Sequence, residues 1–206
     1  MRKEKIIDIY FDAVMAKVTG EAIVLWMLLA LLAWLITYVL HRRGQMKAST
    51  AIAIPILVFY IAFVLTITII ERTPGRQMQY KLELFWTVRK VINGRRELIS
   101  EIFWNIVLFV PIGGLASLIL PVQYKPRKAN GPLRRMWRSP WIVILAGLLL
   151  STGIEVTQLL TYRGLFEFDD ILYNTLGTAV GVVIYLGFAA LHAIRSYRLE
   201  NQKENN

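Results

Sequence analysis

Residues 151–174 read STGIEVTQLLTYRGLFEFDDILYN, and this stretch decides the fold. Ser151, Glu155, Gln158 and Tyr162 step by 4, 3 and 4, which places them on one face of a helix that is otherwise strongly apolar. Arg163, Asp169 and Asp170 follow in a short loop, and Asn174 stands near the start of a second apolar run. At the centre of a membrane helix an ionisable side chain costs roughly 2.5–3.5 kcal/mol on insertion scales, and somewhat less near the ends. A segment that carries so many is expected to pair them and to use them.

The rest of the chain supplies the membrane setting. Of 206 residues, 56% are hydrophobic, and the mean hydropathy is +0.49. That exceeds an ordinary soluble domain. Apolar runs lie at about Ala22–Leu40, Ala51–Ile70, Ile102–Leu120, Trp141–Leu160 and Ile171–Ile194. Each matches the roughly 20 residues that a helix needs to cross the hydrocarbon layer. The expected fold is all-α: a polytopic transmembrane bundle of about five spans with an N-terminal amphipathic helix. Residues 1–20 carry Ile7, Tyr10, Phe11, Val14, Met15 and Val18 at helical spacing and read as that interfacial helix, residues 21–194 as the transmembrane domain, and 195–206 as a polar tail. With no cysteine, the chain has no disulfide, thiolate metal site or Cys nucleophile. The net charge of +10 is read as topology and anionic lipid, not nucleic acid, since no recognition motif accompanies it.

Five spans put the termini on opposite sides. Side A holds the N-terminus and the loops after the second and fourth spans. Side B holds the other loops and the C-terminus. Each side carries twelve Lys and Arg residues, so the count alone decides nothing. Side B has the short, unmixed basic loops (Arg42, Arg43, Lys47; Lys125, Arg127, Lys128, Arg134, Arg135, Arg138), while side A holds twelve of the fourteen acids. Compact basic loops favour side B, with the C-terminus, in the cytoplasm.

The polar residues gather on side A. Glu101 and Asn105 share a face near the start of the third span, Asp170 and Asn174 near the start of the fifth, and Arg72 and Arg76 follow the second. Two readings follow. The groups satisfy one another, with Arg163 bridging Asp169 or Asp170, Arg72 or Arg76 bridging Glu101 or Glu155, and Asn174 tying helices. Or they line a water-accessible pocket, the sharper reading. Gly177, Thr178 and Gly181 suit close helix contact. Leu84-Phe-Trp86 forms an apolar patch suited to dip into the leaflet or to cover the pocket.

Taken in order, these residues resemble the VanZ-like family of small bacterial membrane proteins. The resemblance covers about Ile70–Ile184. It rests on Glu101, Asn105, Phe109, Pro111 and Gly113, then Glu155 and Gln158, Arg163, the Asp169-Asp170 pair, Asn174 and Gly177. In the loop before the third span Leu84-Phe-Trp86 stands where the family often has a proline-containing element. The resemblance implies a bacterial cell envelope, and the family's namesake is linked to teicoplanin resistance.

Three functions are weighed. The first is binding of an anionic, lipid-linked or glycopeptide ligand through Arg72, Arg76, Glu101, Asn105, Glu155, Gln158, Arg163, Asp169, Asp170 and Asn174, since arginines beside amides suit phosphate or carboxylate. The second is an intramembrane enzyme with Glu155, Asp169 and Asp170 as acid, base or divalent-cation ligands. The third is a transporter, ranked last because the polar stripe stops halfway. The first is preferred, with the bilayer as partner and no cofactor or metal expected.

Overall fold

The computed structural model describes residues 18–120 and 138–204. Among them are six α-helices: α1 (Gly20–Arg42), α2 (Ala48–Leu65), α3 (Trp86–Ile92), α4 (Leu98–Ile119), α5 (Arg138–Leu160) and α6 (Phe168–Glu204). A π-helical turn, Thr66–Ile70, prolongs α2. The expected all-α bundle is there, and five segments are long and apolar enough to span a bilayer: Gly20–Arg42, Ala48–Ile70, Leu98–Ile119, Pro140–Leu160 and Phe168–His192. At 1.5 Å per residue they reach roughly 31–38 Å, which covers the hydrocarbon layer.

The N-terminal expectation lies almost wholly outside the described residues. The amphipathic helix expected over residues 1–20 falls on residues outside the described ones except for its last three, and the first described helix, α1, is apolar all round. Leu25, Leu28, Leu32 and Ile36 are exposed on it, as are Met27, Leu31 and Leu35. A helix in contact with lipid needs no polar face. The basic loop from Lys125 to Arg135 and Trp137 also lie outside the described residues.

Two elements were not expected. Strands β1 (Gln79–Lys81) and β2 (Leu165–Glu167) pair in parallel, with Gln79 opposite Leu165 and Lys81 opposite Glu167. They fasten the loop after α2 to the loop after α5. The short α3 lies in the first of these loops and packs on α4.

Packing is closest between α4 and α6. A methyl group on Gly177 would run into the Ile106 carbonyl, one on Gly181 into the Val110 carbonyl, and one on Gly113 into the Thr178 backbone. The expected small-residue contact is therefore a backbone-to-backbone seam. Gly147 of α5 makes room for the Thr178 side chain in the same way. Val64, Phe109, Ile112 and Ile154 fill the space between α2, α4 and α5. Polar side chains tie the first spans: Trp26 Nε1 donates to Thr66 Oγ1 at 3.0 Å, and Tyr60 Oη donates to the Leu108 carbonyl at 2.9 Å.

Candidate functional site

The side A ends of α2, α4, α5 and α6 bring the expected polar residues together. A helix leaves its last carbonyls without intrahelical partners. At the end of α2 and its π turn, side chains from α5 and the following loop fill that need. Gln158 Nε2 donates to the Thr68 carbonyl at 3.0 Å. Arg163 Nη1 donates to the Ile69 carbonyl at 3.2 Å and also to the Ile70 carbonyl. Arg163 thus caps a helix C-terminus, where a cation is also favoured by the helix dipole. It does not bridge Asp169 or Asp170.

The two adjacent aspartates face different partners. Asp169 is fully buried, and its two carboxylate oxygens accept from the backbone N–H groups of Phe85 and Thr87. Phe85 is the N-cap residue of α3, with φ of 60°, and its own side chain makes no cap. Asp169 supplies the missing acceptor from across the fold. Asp170 instead accepts from Asn105 Nδ2 at 2.7 Å, which joins α6 to α4.

Glu155 is buried and its Oε2 accepts from the Glu167 N–H at 3.0 Å. Asn174 Nδ2 donates to Ser151 Oγ at 2.9 Å, tying α6 to α5 as one reading expected. Glu101 is exposed at the rim. Arg72 is the cation that Glu101, Glu155 and Asp170 all feel. Yet among the described residues Arg72 lies within 4 Å of none of them, and the nearby ion pairs join Glu83 to Lys81 and Arg89 instead. The expected bridges from Arg72 or Arg76 to Glu101 or Glu155 are therefore not formed.

Above this layer lies an open cleft of about 380 Å³ between residues 71–79 and 162–165. Arg72, Tyr162, Arg163 and Gly164 line it. Tyr162 adopts φ of 58°, and its carbonyl accepts from the Gly75 N–H at 2.6 Å, closing one end of the cleft. A Cβ on Gly164 would stand 2.8 Å from Gln158 Oε1 and 2.9 Å from Arg72 Nη1. Glycine thus leaves the ends of both side chains their places beside the backbone there. Arg76 is exposed and does not line the cleft.

Among the described residues four buried side-chain polar atoms lack a hydrogen-bond partner: Trp86 Nε1, Gln158 Oε1, Tyr173 Oη and Asn174 Oδ1. Two of these residues, Tyr173 and Trp86, were not expected at the site as polar groups. Glu167 was also missed. Its side chain is buried beside Asp170, Glu155, Glu101 and Asp169, and burial first, then those charges, pushes its carboxyl up to about 8. Leu165-Phe-Glu-Phe168 shows no polar/apolar alternation, so nothing in the sequence marked Glu167 as a buried strand residue. No group of three or more His, Cys, Asp or Glu among the described residues is arranged to hold a metal ion.

A family model described as VanZ/LLP1 matches residues 52–191, which include every residue of this layer. No curated protein and no solved structure matches the chain.

Proposed function

This chain belongs to the VanZ/LLP1 family as a polytopic membrane protein, and from its side A cleft we propose that it binds an anionic, lipid-linked headgroup of the bacterial envelope. The observation that carries this reading is Arg72. Its guanidinium lines the cleft, is exposed, and has no carboxylate within 4 Å among the described residues. A guanidinium with free donors is suited to phosphate or carboxylate, which it takes in bidentate fashion. The cleft volume lies within the roughly 300–1,000 Å³ usual for ligand pockets. Arg163 stands beside Arg72 and adds positive potential, while its own hydrogen bonds hold the end of α2. The Glu155, Asp169 and Asn174 side chains do not line the cleft; they are buried and held by backbone and side-chain partners.

On this reading side A faces outward and the C-terminus lies in the cytoplasm. A headgroup held at the outer surface changes what a glycopeptide such as teicoplanin meets there. The test is thermal stability in detergent with phosphatidylglycerol or phosphatidylcholine added. A ligand that binds the folded state raises its stability in proportion to the logarithm of its concentration over Kd. Phosphatidylglycerol should stabilise the wild type more than phosphatidylcholine does, and Arg72→Gln should erase the difference. Equal effects of both lipids on the wild type would defeat the proposal. Arg163→Gln is a poorer probe, because it also removes the cap on α2.

A second reading is chemistry on a lipid-linked substrate. It is favoured by Asp170, which is held by Asn105 Nδ2 and lies in the electrostatic field of Arg72. Its assay is turnover of envelope lipids by the purified protein with and without Mg²⁺. On this reading Asp170→Asn abolishes turnover without lowering the melting temperature appreciably.

A further inference from the structure

The loop between α2 and α4 carries a second surface that the cleft does not use. From Met78 to Ile92 it exposes Met78, Tyr80, Leu82, Leu84, Phe85 and Ile92, with Phe85 53% and Ile92 77% accessible. So many large apolar side chains on one loop exceed the scattered exposed residues that need no explanation. The same loop is basic. Residues 71–97 hold seven Lys and Arg residues against three acids. Lys90, Arg95 and Arg96 are exposed, whereas Arg89 is engaged with Glu83 at 3.0 Å.

The depth of this loop is set by its anchors. Asp169, the second residue of α6, holds the Phe85 and Thr87 amides. Phe85 therefore lies where the fifth span enters the bilayer. Leu98 begins α4 only six residues after Ile92. On the first turns of α4, Ile99, Phe103 and Val107 are exposed in turn at intervals of four, and they continue the apolar surface into the lipid-facing belt. Between these anchors α3, with its seven residues, has no room to rise far from the membrane plane.

We propose that residues 78–96 form an interfacial element that docks on the protein's own bilayer. Leu84, Phe85 and Ile92 enter the boundary between headgroups and acyl chains on side A. Lys90, Arg95 and Arg96 take the phosphates of anionic phospholipids around them, as basic residues flanking an apolar surface do. Lys81 lies over the Trp86 ring, 5.8 Å from its centroid, with its ammonium on the polar side of the same element. Because β1 belongs to this element and pairs with β2, docking also sets one rim of the cleft at headgroup level.

The chain has no cysteine, so one introduced cysteine gives one labelling site. Full-length Phe85→Cys, Ile92→Cys and Arg76→Cys variants would carry a polarity-sensitive fluorophore in vesicles of phosphatidylcholine, with and without phosphatidylglycerol. Labels at 85 and 92 should emit to the blue of the label at 76. They should be quenched by brominated acyl chains and be several-fold less quenched by iodide. Phosphatidylglycerol should deepen that protection, and Lys90→Gln/Arg95→Gln/Arg96→Gln should remove the added part. Iodide quenching at 85 and 92 equal to that at 76 overturns the proposal. So does protection without quenching by brominated lipid, accompanied by cross-linking between labelled copies, which would mean that a second copy covers the surface. Protection unaffected by phosphatidylglycerol and by the triple variant overturns the role given to the basic residues. The vesicles of phosphatidylcholine alone read docking without an anionic headgroup for the cleft, and the triple variant leaves Arg72 unchanged, so failure here is distinguishable from failure of ligand binding in the cleft.

Discussion

One helix, α6, is held in two opposite ways along its length. In its middle, Gly177 and Gly181 bring its backbone against that of α4, and no side chain stands between them. At its side A end, Asp169, Asp170 and Asn174 reach outward and make hydrogen bonds to three different elements. The seam depends on the absence of atoms, and it tolerates none. The rim depends on polar side chains, some paired with each other across helices and some satisfied by backbone N–H and carbonyl groups that helix ends and loops leave open. The seam therefore fixes how closely α4 and α6 approach, while the rim ties helix ends and loops around that contact. Arg72 is the exception in the rim, a cation close to three carboxylates and in contact with none.

The largest expected effect comes from filling the seam. Gly177→Leu forces a side chain into the Ile106 carbonyl and Phe109. Overpacking a tight core costs roughly 1–3 kcal/mol and occasionally more, and here the obstacle is backbone that cannot rotate away. The variant should lose most folded protein, measured as the monodisperse fraction in detergent. Normal yield would mean that the helices can part without cost, and the contrast with the rim would fail.

Asp169→Ala acts on the rim. It leaves the Phe85 and Thr87 amides without their charged acceptor, at a cost of roughly 1–3 kcal/mol. The loss should be local. Hydrogen exchange should speed up over residues 85–92 while the α4–α6 seam stays protected. Equal loss of protection in both places would show that the rim, too, holds the bundle.

A smaller effect concerns pH. Folding raises the Glu167 carboxyl from its ordinary 4.5 to about 8, chiefly by burial. The folded state then holds a proton that the unfolded state releases, so this contribution is present below pH 4.5 and is lost as pH rises through 8. Stability should fall across that window, and Glu167→Gln should shallow the fall. Thermal melts between pH 5 and 9 check it; a fall of the same slope in the variant would assign the dependence to other groups.

The spans and the polar layer could be read from the chain because they rest on local rules. Runs of about 20 apolar residues follow from bilayer thickness, and Glu101 with Asn105, or Asp170 with Asn174, share a face through helical spacing alone. Partners could not be read this way. Asp169 and Asp170 are neighbours in sequence, yet one serves amides more than eighty residues away and the other an asparagine sixty-five residues away. Arg163 offered an obvious bridge to either aspartate. Its actual partners, carbonyls at the end of α2, have no side-chain signature at all. The three-residue strands and Glu167 were hidden because a ladder so short leaves almost no periodic pattern.

On the proposed reading Arg72 stands free to take an anionic headgroup. Its most direct measurement is native mass spectrometry of the wild type and Arg72→Gln, each with equimolar phosphatidylglycerol and phosphatidylcholine. Phosphatidylglycerol adducts should predominate on the wild type, and Arg72→Gln should carry both lipids alike. Identical adduct patterns on the two proteins would contradict it.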